Sequence, residues 1–211
     1  ATYFTLLFVE NDEGREAFVK GLQSARSTIE NYYASGKNFA IVAQRSPEKE
    51  EVTSAITYQK GAWVLHMLRE KIGDAAFQKG IRSYYKKYFN ANATTDQFRL
   101  EMEKASGISL RPFFNQWLLR SGIPAIQAIW NYNASKKLLE ISLRQTNADE
   151  SVYELPVEIA IQQANGAPIK QKLLLQKKQD TFRIPMATAP TGIIPDPATR
   201  LLATYEVMFS R

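Results

Sequence analysis

The sequence predicts an α+β chain in two units, an all-helical one over residues 1–123 and a small antiparallel β-sandwich over residues 124–211. Three observations predict it. Apolar residues recur every three or four positions before Ile123 and every second position after it. Of the 24 aromatic residues 18 lie before that point, whereas seven of the nine prolines lie beyond it. No helical stretch separates the strand-like segments, which excludes an alternating βαβ architecture. With 211 residues, 45% hydrophobic and 23% charged, the chain is long enough to bury a core and far from the composition of disorder.

The first helical segment runs through Tyr3, Phe4, Leu6, Leu7, Phe8 and Val9 and leaves almost no polar face, the pattern of a helix buried on every side. Phe18, Leu22, Ala25 and Ile29 then recur at helical spacing, followed by Trp63, Met67 and Leu68 and by Phe77, Ile81, Tyr84 and Tyr88. Asp74 is placed to cap a helix starting at Ala75, Thr94 with Gln97 spells a capping box, and Gly73, Gly107 and Gly122 stand where helix-ending glycines belong. Phe113, Phe114 and Trp117 share a helical face and read as core. The pattern amounts to about six helices. Beyond Pro124 the period changes: Ile126, Ala128, Trp130 and Tyr132 alternate with polar neighbours, as do Leu139, Ile141 and Leu143, then Leu155, Val157, Ile159 and Ile161. Turn residues fall between them at Asn133-Ala134-Ser135, Asn147-Ala148-Asp149 and Asn165-Gly166-Ala167-Pro168, so roughly seven short strands are expected.

Composition excludes several kinds of function. The net charge of +6 divides as +4 before Pro124 and +2 after it, with no basic block. Lys86 and Lys87 stand among Tyr84, Tyr85, Tyr88 and Phe89, a mixture that suits bases and phosphates; on a helix, however, Tyr84 and Tyr88 share the side of Ile81 and read as a core face. No nucleic-acid partner is expected. No run of apolar residues is long enough for a membrane span. Cysteine is absent and His66 is the single histidine, so neither a thiolate site nor a two-histidine metal site can be built from this chain alone. Gly-x-Gly-x-x-Gly, P-loop, Gly-x-Ser-x-Gly and EF-hand patterns are missing as well. His66 falls mid-helix between Leu65 and Met67 and reads as a packed side chain. Glu101 with Glu103, and Glu48, Glu50 and Glu51, could serve as acid and base, but their setting on polar helix faces makes them solvated carboxylates.

One segment carries more. Thr57-Tyr58-Gln59-Lys60-Gly61-Ala62-Trp63-Val64-Leu65-His66-Met67-Leu68 closely resembles the Tyr-x-Lys-Gly-Ala-x-Val-Leu helix of the M1 (gluzincin) zinc aminopeptidases. After it come, in order, Gly73-Asp74-Ala75-Ala76-Phe77, Thr95-Asp96-Gln97-Phe98, Ser106-Gly107, Phe113-Phe114-Asn115-Gln116-Trp117 and Gly122-Ile123-Pro124, which resemble that family's landmarks at family spacing. The likeness extends over about residues 1 to 125; the strand-rich remainder is similar, by position and pattern, to the β-sandwich that succeeds the catalytic domain in many members.

The resemblance implies a parent enzyme that uses zinc to remove N-terminal residues from peptides, with two histidines of His-Glu-x-x-His and a later Glu as ligands and a Gly-x-Met-Glu-Asn segment holding the substrate amine. None of these occurs here. The opening Ala1-Thr2-Tyr3-Phe4 resembles the residues just after the third ligand in the family, so the expectation is a C-terminal portion beginning just after the zinc-ligating Glu, with no cofactor of its own and no activity alone. Tyr58 matches the family tyrosine whose phenol donates a hydrogen bond to the oxyanion, and a phenol suits that work because it stays protonated at neutral pH; the alternative for Tyr58 is a buried tyrosine at a helix start. Lys60 and Gly61 match the motif too but receive no chemical role. Without the zinc-bearing helices the first helix keeps a bare apolar side, and self-association through residues 1 to 10 and the surface around Tyr58 is expected. The rival reading is a scaffold that binds peptides or proteins without catalysis.

Overall fold

The computed structural model describes residues 1–42, 56–147, 149 and 151–210. The chain divides into two compact units, Ala1–Gly122 and Ile123–Arg211, one helical and one built of strands, and its class is α+β.

In the first unit α1 (Thr2–Asp12) turns at Gly14, whose φ of 90° favours glycine, into α2 (Arg15–Ala34). The α2 stripe Phe18, Leu22, Ala25 and Ile29 is buried along its whole length. One turn of π-helix, Ile56–Lys60, runs directly into α3 (Gly61–Ile72), which is the central helix: Ala62, Trp63, Val64, His66, Met67 and Leu68 are all buried. The Trp63 indole N–H donates to the Leu22 carbonyl at 2.9 Å and ties α3 to α2. A buried aromatic cluster joins the helices, with the Tyr3 ring 6.3 Å from Phe18 and 6.0 Å from Phe77.

Next come α4 (Asp74–Lys87), α5 (Thr95–Ser106) and α6 (Arg111–Leu118). The capping box at α5 is formed in both directions, Gln97 N to Thr94 Oγ1 at 3.2 Å and Thr94 N to Gln97 Oε1 at 2.7 Å. The expected cap at α4 is not: Gly73 occupies the cap position, and Asp74 is the first helical residue. Its carboxylate goes instead to Arg69, at 2.6 Å from Nε, because a bidentate guanidinium partner outcompetes a terminal backbone N–H. Helices α4 and α5 lie close because Gly80 faces Met102; a Cβ on Gly80 would stand 2.5 Å from the Met102 sulfur. Phe114 and Trp117 of α6 are buried, as their spacing requires.

The second unit contains β1 (Ala125–Asn133), β2 (Leu138–Gln145), β3 (Leu155–Gln162), β4 (Ile169–Leu175), β5 (Gln179–Pro185), β6 (Gly192–Pro195) and β7 (Thr204–Phe209). They form two sheets, in the orders β5-β2-β1-β7 and β4-β3-β6. The alternation is realised in register: Trp130 lies opposite Ile141 and Ala128 opposite Leu143, and these four side chains are buried. The pairing is antiparallel except at one place, where β7 runs parallel to β1. A period of two says which residues face the core and nothing about the direction of the neighbouring strand. Gln145 is fully buried and holds the β2–β3 connection: its side chain accepts from Tyr153 N at 2.9 Å and donates to Tyr153 O at 2.8 Å.

Candidate active site

Tyr58 sits in the middle of the π-helical turn, two residues before the turn passes into α3. Its flanking residues Ile56 and Lys60 are each 1% exposed, whereas Tyr58 itself is 51% exposed. The turn therefore points two side chains into the core and presents the phenol outward, which sets aside the buried-tyrosine alternative. Single π-turns are rare within helices and recur at functional sites.

Lys60 has no chemical role legible in its sequence, and its surroundings explain why it is there. The ammonium is fully enclosed and donates to three acceptors: the carbonyls of Arg120 at 2.8 Å and Gly122 at 2.9 Å and the Tyr33 hydroxyl at 3.2 Å. Tyr33 in turn donates to the Phe39 carbonyl at 3.0 Å. Among the described residues no carboxylate pairs with Lys60, and burial pulls its pKa down to about 8. The one sequence signal is its place beside Gly61 in the same motif as Tyr58.

The other candidates have structural work. His66 is fully buried with its ring centre 5.4 Å from that of Phe18 and 5.6 Å from that of Trp63. Glu101 and Glu103 are each held by specific hydrogen bonds rather than standing free on a solvated face. Glu101 is buried and accepts from Lys87 Nζ at 2.6 Å and Ser83 Oγ at 2.7 Å, and those bonds, the Lys87 one foremost, hold its carboxyl below the usual range. Burial pushes the Glu103 carboxyl up, but the Leu110 N–H at 2.7 Å and the Arg99 guanidinium at 2.8 Å outweigh it and hold it low. Glu48, Glu50 and Glu51 lie outside the described residues. Lys86 and Lys87 stand at the end of α4, where Tyr84 packs on Phe98 at 5.0 Å between ring centres while Tyr85 and Phe89 are exposed.

The zinc implied by the resemblance finds no donor set among the described residues. Such a site needs three protein ligands converging on an open position, and among the described residues no three His, Cys, Asp or Glu side chains come together in that way. His66, the one imidazole, is enclosed by aromatic rings. Among the described residues the side chains present do not fit the metal. Among the described residues no helix is long and apolar enough to cross a membrane.

The chain is 33% identical over 142 residues to the probable aminopeptidase 2 of Sulfurisphaera tokodaii, covering 66% of this chain and 17% of that protein. It is 27% identical over 140 residues to aminopeptidase N of Escherichia coli, covering 59% of this chain and 16% of that protein. The chain thus spans about a sixth of the length of these relatives. A crystal structure of Legionella pneumophila aminopeptidase A in complex with aspartic acid superposes with a TM-score of 0.67 at 19% identity, covering 99% of this chain and 25% of that one. At that identity the likeness is one of fold. The model of the peptidase family M1 domain matches residues 1–117, more than half of the sequence and the whole stretch that carries Tyr58, so this chain belongs to peptidase family M1.

Proposed function

We propose that this chain is part of a zinc-dependent aminopeptidase that hydrolyses N-terminal residues from peptides, with residues 1–123 as the C-terminal helical part of the catalytic domain and 124–211 as the β-sandwich after it. Tyr58 is the catalytic residue within it. As water adds to the scissile carbonyl, the oxygen takes on negative charge, and a phenol O–H directed at it gives a hydrogen bond that is stronger in the transition state than in the ground state. The observation that carries this reading is the half-exposed Tyr58 on a π-helical turn inside the Tyr-x-Lys-Gly-Ala segment.

The zinc site belongs to residues that this sequence does not contain, so the chain alone holds no zinc and has no activity. The same reading accounts for Phe4 and Phe8 of α1, which are 47% and 66% exposed: they are the bare side of a helix made for burial, and the isolated chain associates with itself through residues 1 to 10 and the surface around Tyr58.

The test is Tyr58→Phe in the complete enzyme. Loss of one oxyanion donor lowers kcat by roughly 10²- to 10³-fold, while KM and zinc content stay close to those of the unaltered enzyme, because the bond is made mainly in the transition state. An unchanged kcat would return Tyr58 to a structural role.

A further inference from the structure

A buried lysine that meets no carboxylate among the described residues is an expensive feature, because desolvation works against its charge. Lys60 is 1% exposed, and each of its three N–H groups has one acceptor, two of them backbone carbonyls 60 and 62 residues away in sequence. An ammonium has three donors and no more, so the pocket is matched to it. The contacts join four stretches of chain: the end of the π-turn, Tyr33 near the end of α2, Phe39 through the Tyr33 hydroxyl, and the Arg120–Gly122 segment beyond α6. Gly122 has a φ of 73°, which turns its carbonyl in a backbone conformation that other residues rarely adopt.

We propose that Lys60 is a positioning residue: by clamping the end of the π-helical turn to the carbonyls of Arg120 and Gly122, it holds the backbone that presents Tyr58. The inference rests on Tyr58 being the oxyanion donor. A π-turn has no intrinsic preference over α-helix, and with the clamp released the turn relaxes toward α-helical spacing, which rotates residue 58 relative to residue 60. A displacement on the order of an ångström at a catalytic group costs as much as about 10²-fold in rate. An arginine does not replace this lysine, since its flat fork of five donors exceeds three acceptors in a closed pocket.

The experiment uses the complete enzyme with four variants: Tyr58→Phe, Lys60→Met, their combination, and Tyr33→Phe, which removes one acceptor and leaves the ammonium in place. Lys60→Met is expected to lower kcat by roughly 10- to 100-fold with little change in KM and unchanged zinc content, and to speed hydrogen exchange at the amides of residues 56–61. In the combination Lys60→Met adds almost nothing to Tyr58→Phe, since a displaced tyrosine and an absent phenol lose the same interaction. Tyr33→Phe gives a smaller fall in kcat of the same character and decides the matter should Lys60→Met not fold. Full additivity in the combination, or unaltered kcat in both Lys60→Met and Tyr33→Phe, overturns the proposal while leaving Tyr58 in its role. A Tyr58→Phe enzyme with normal kcat removes instead the reading on which it rests.

Discussion

Gly80 and Met102 form a contact whose energetics change sign with the partner. Helix α4 carries Gly80 in its interior, where alanine is favoured by about 1 kcal/mol in helix propensity. The added Cβ would, however, lie 2.5 Å from the Met102 sulfur, 3.0 Å from its Cε and 3.3 Å from the Ala105 Cβ. Met102 is fully buried, so its flexible thioether must move within a packed core, at a cost of about 1 to 3 kcal/mol. Gly80→Ala is therefore expected to destabilise by about 1 kcal/mol once the propensity gain is subtracted. Met102→Ala alone leaves a cavity and costs about 2 to 5 kcal/mol. In that background the new methyl enters the space Met102 vacated and meets only the Ala105 Cβ at 3.3 Å, so most of the propensity gain is realised and Gly80→Ala stabilises by up to about 1 kcal/mol. The coupling energy is then about 2 kcal/mol, well outside the additivity of independent sites. Urea unfolding monitored by far-ultraviolet circular dichroism measures all four proteins, at a concentration low enough that association does not contribute. Additivity within about 0.5 kcal/mol, or a stabilising Gly80→Ala in the parent background, would refute the close packing of α4 on α5.

Burial lowers the Lys60 pKa from 10.5 to about 8, so between those values the unfolded chain binds the extra proton, and stability rises with pH through that window while the cost is fully present below it. Relative to Lys60→Met, the chain should gain at most about 3 kcal/mol between about pH 7 and about pH 10, and a flat difference in urea stability would mean that the three hydrogen bonds cancel the desolvation. Phe4→Asp with Phe8→Asp should convert a self-associating chain into a monomer at micromolar concentration in sedimentation; a monomeric unaltered chain would refute the exposed-face argument. Metal analysis after dialysis against zinc should find far less than one equivalent per chain, and a tightly held equivalent would contradict the lack of a ligand set among the described residues.

The sequence by itself determined the repeating parts of this protein. The four buried residues of α2, the inward positions of β1 and β2, and both hydrogen bonds of the α5 capping box are decided by neighbours within a turn of helix or across one pleat, and such signals survive in a linear text. The family likeness around Tyr58 was legible for a similar reason, because it is a contiguous segment. Tertiary structure alone decided the fate of several other charged and polar groups. Glu101 resembles any carboxylate on a polar helix face until Lys87 and Ser83 of α4 close over it. Asp74 had the spacing of a cap, and Arg69 was better placed to take it. Gln145 ends β2 and is a buried bracket that no local pattern marks. Lys60 is the extreme case, since its acceptors come from segments 27, 60 and 62 residues away. Whether a charge is buried depends on acceptors gathered from distant chain in three dimensions, and no local pattern encodes where those will meet.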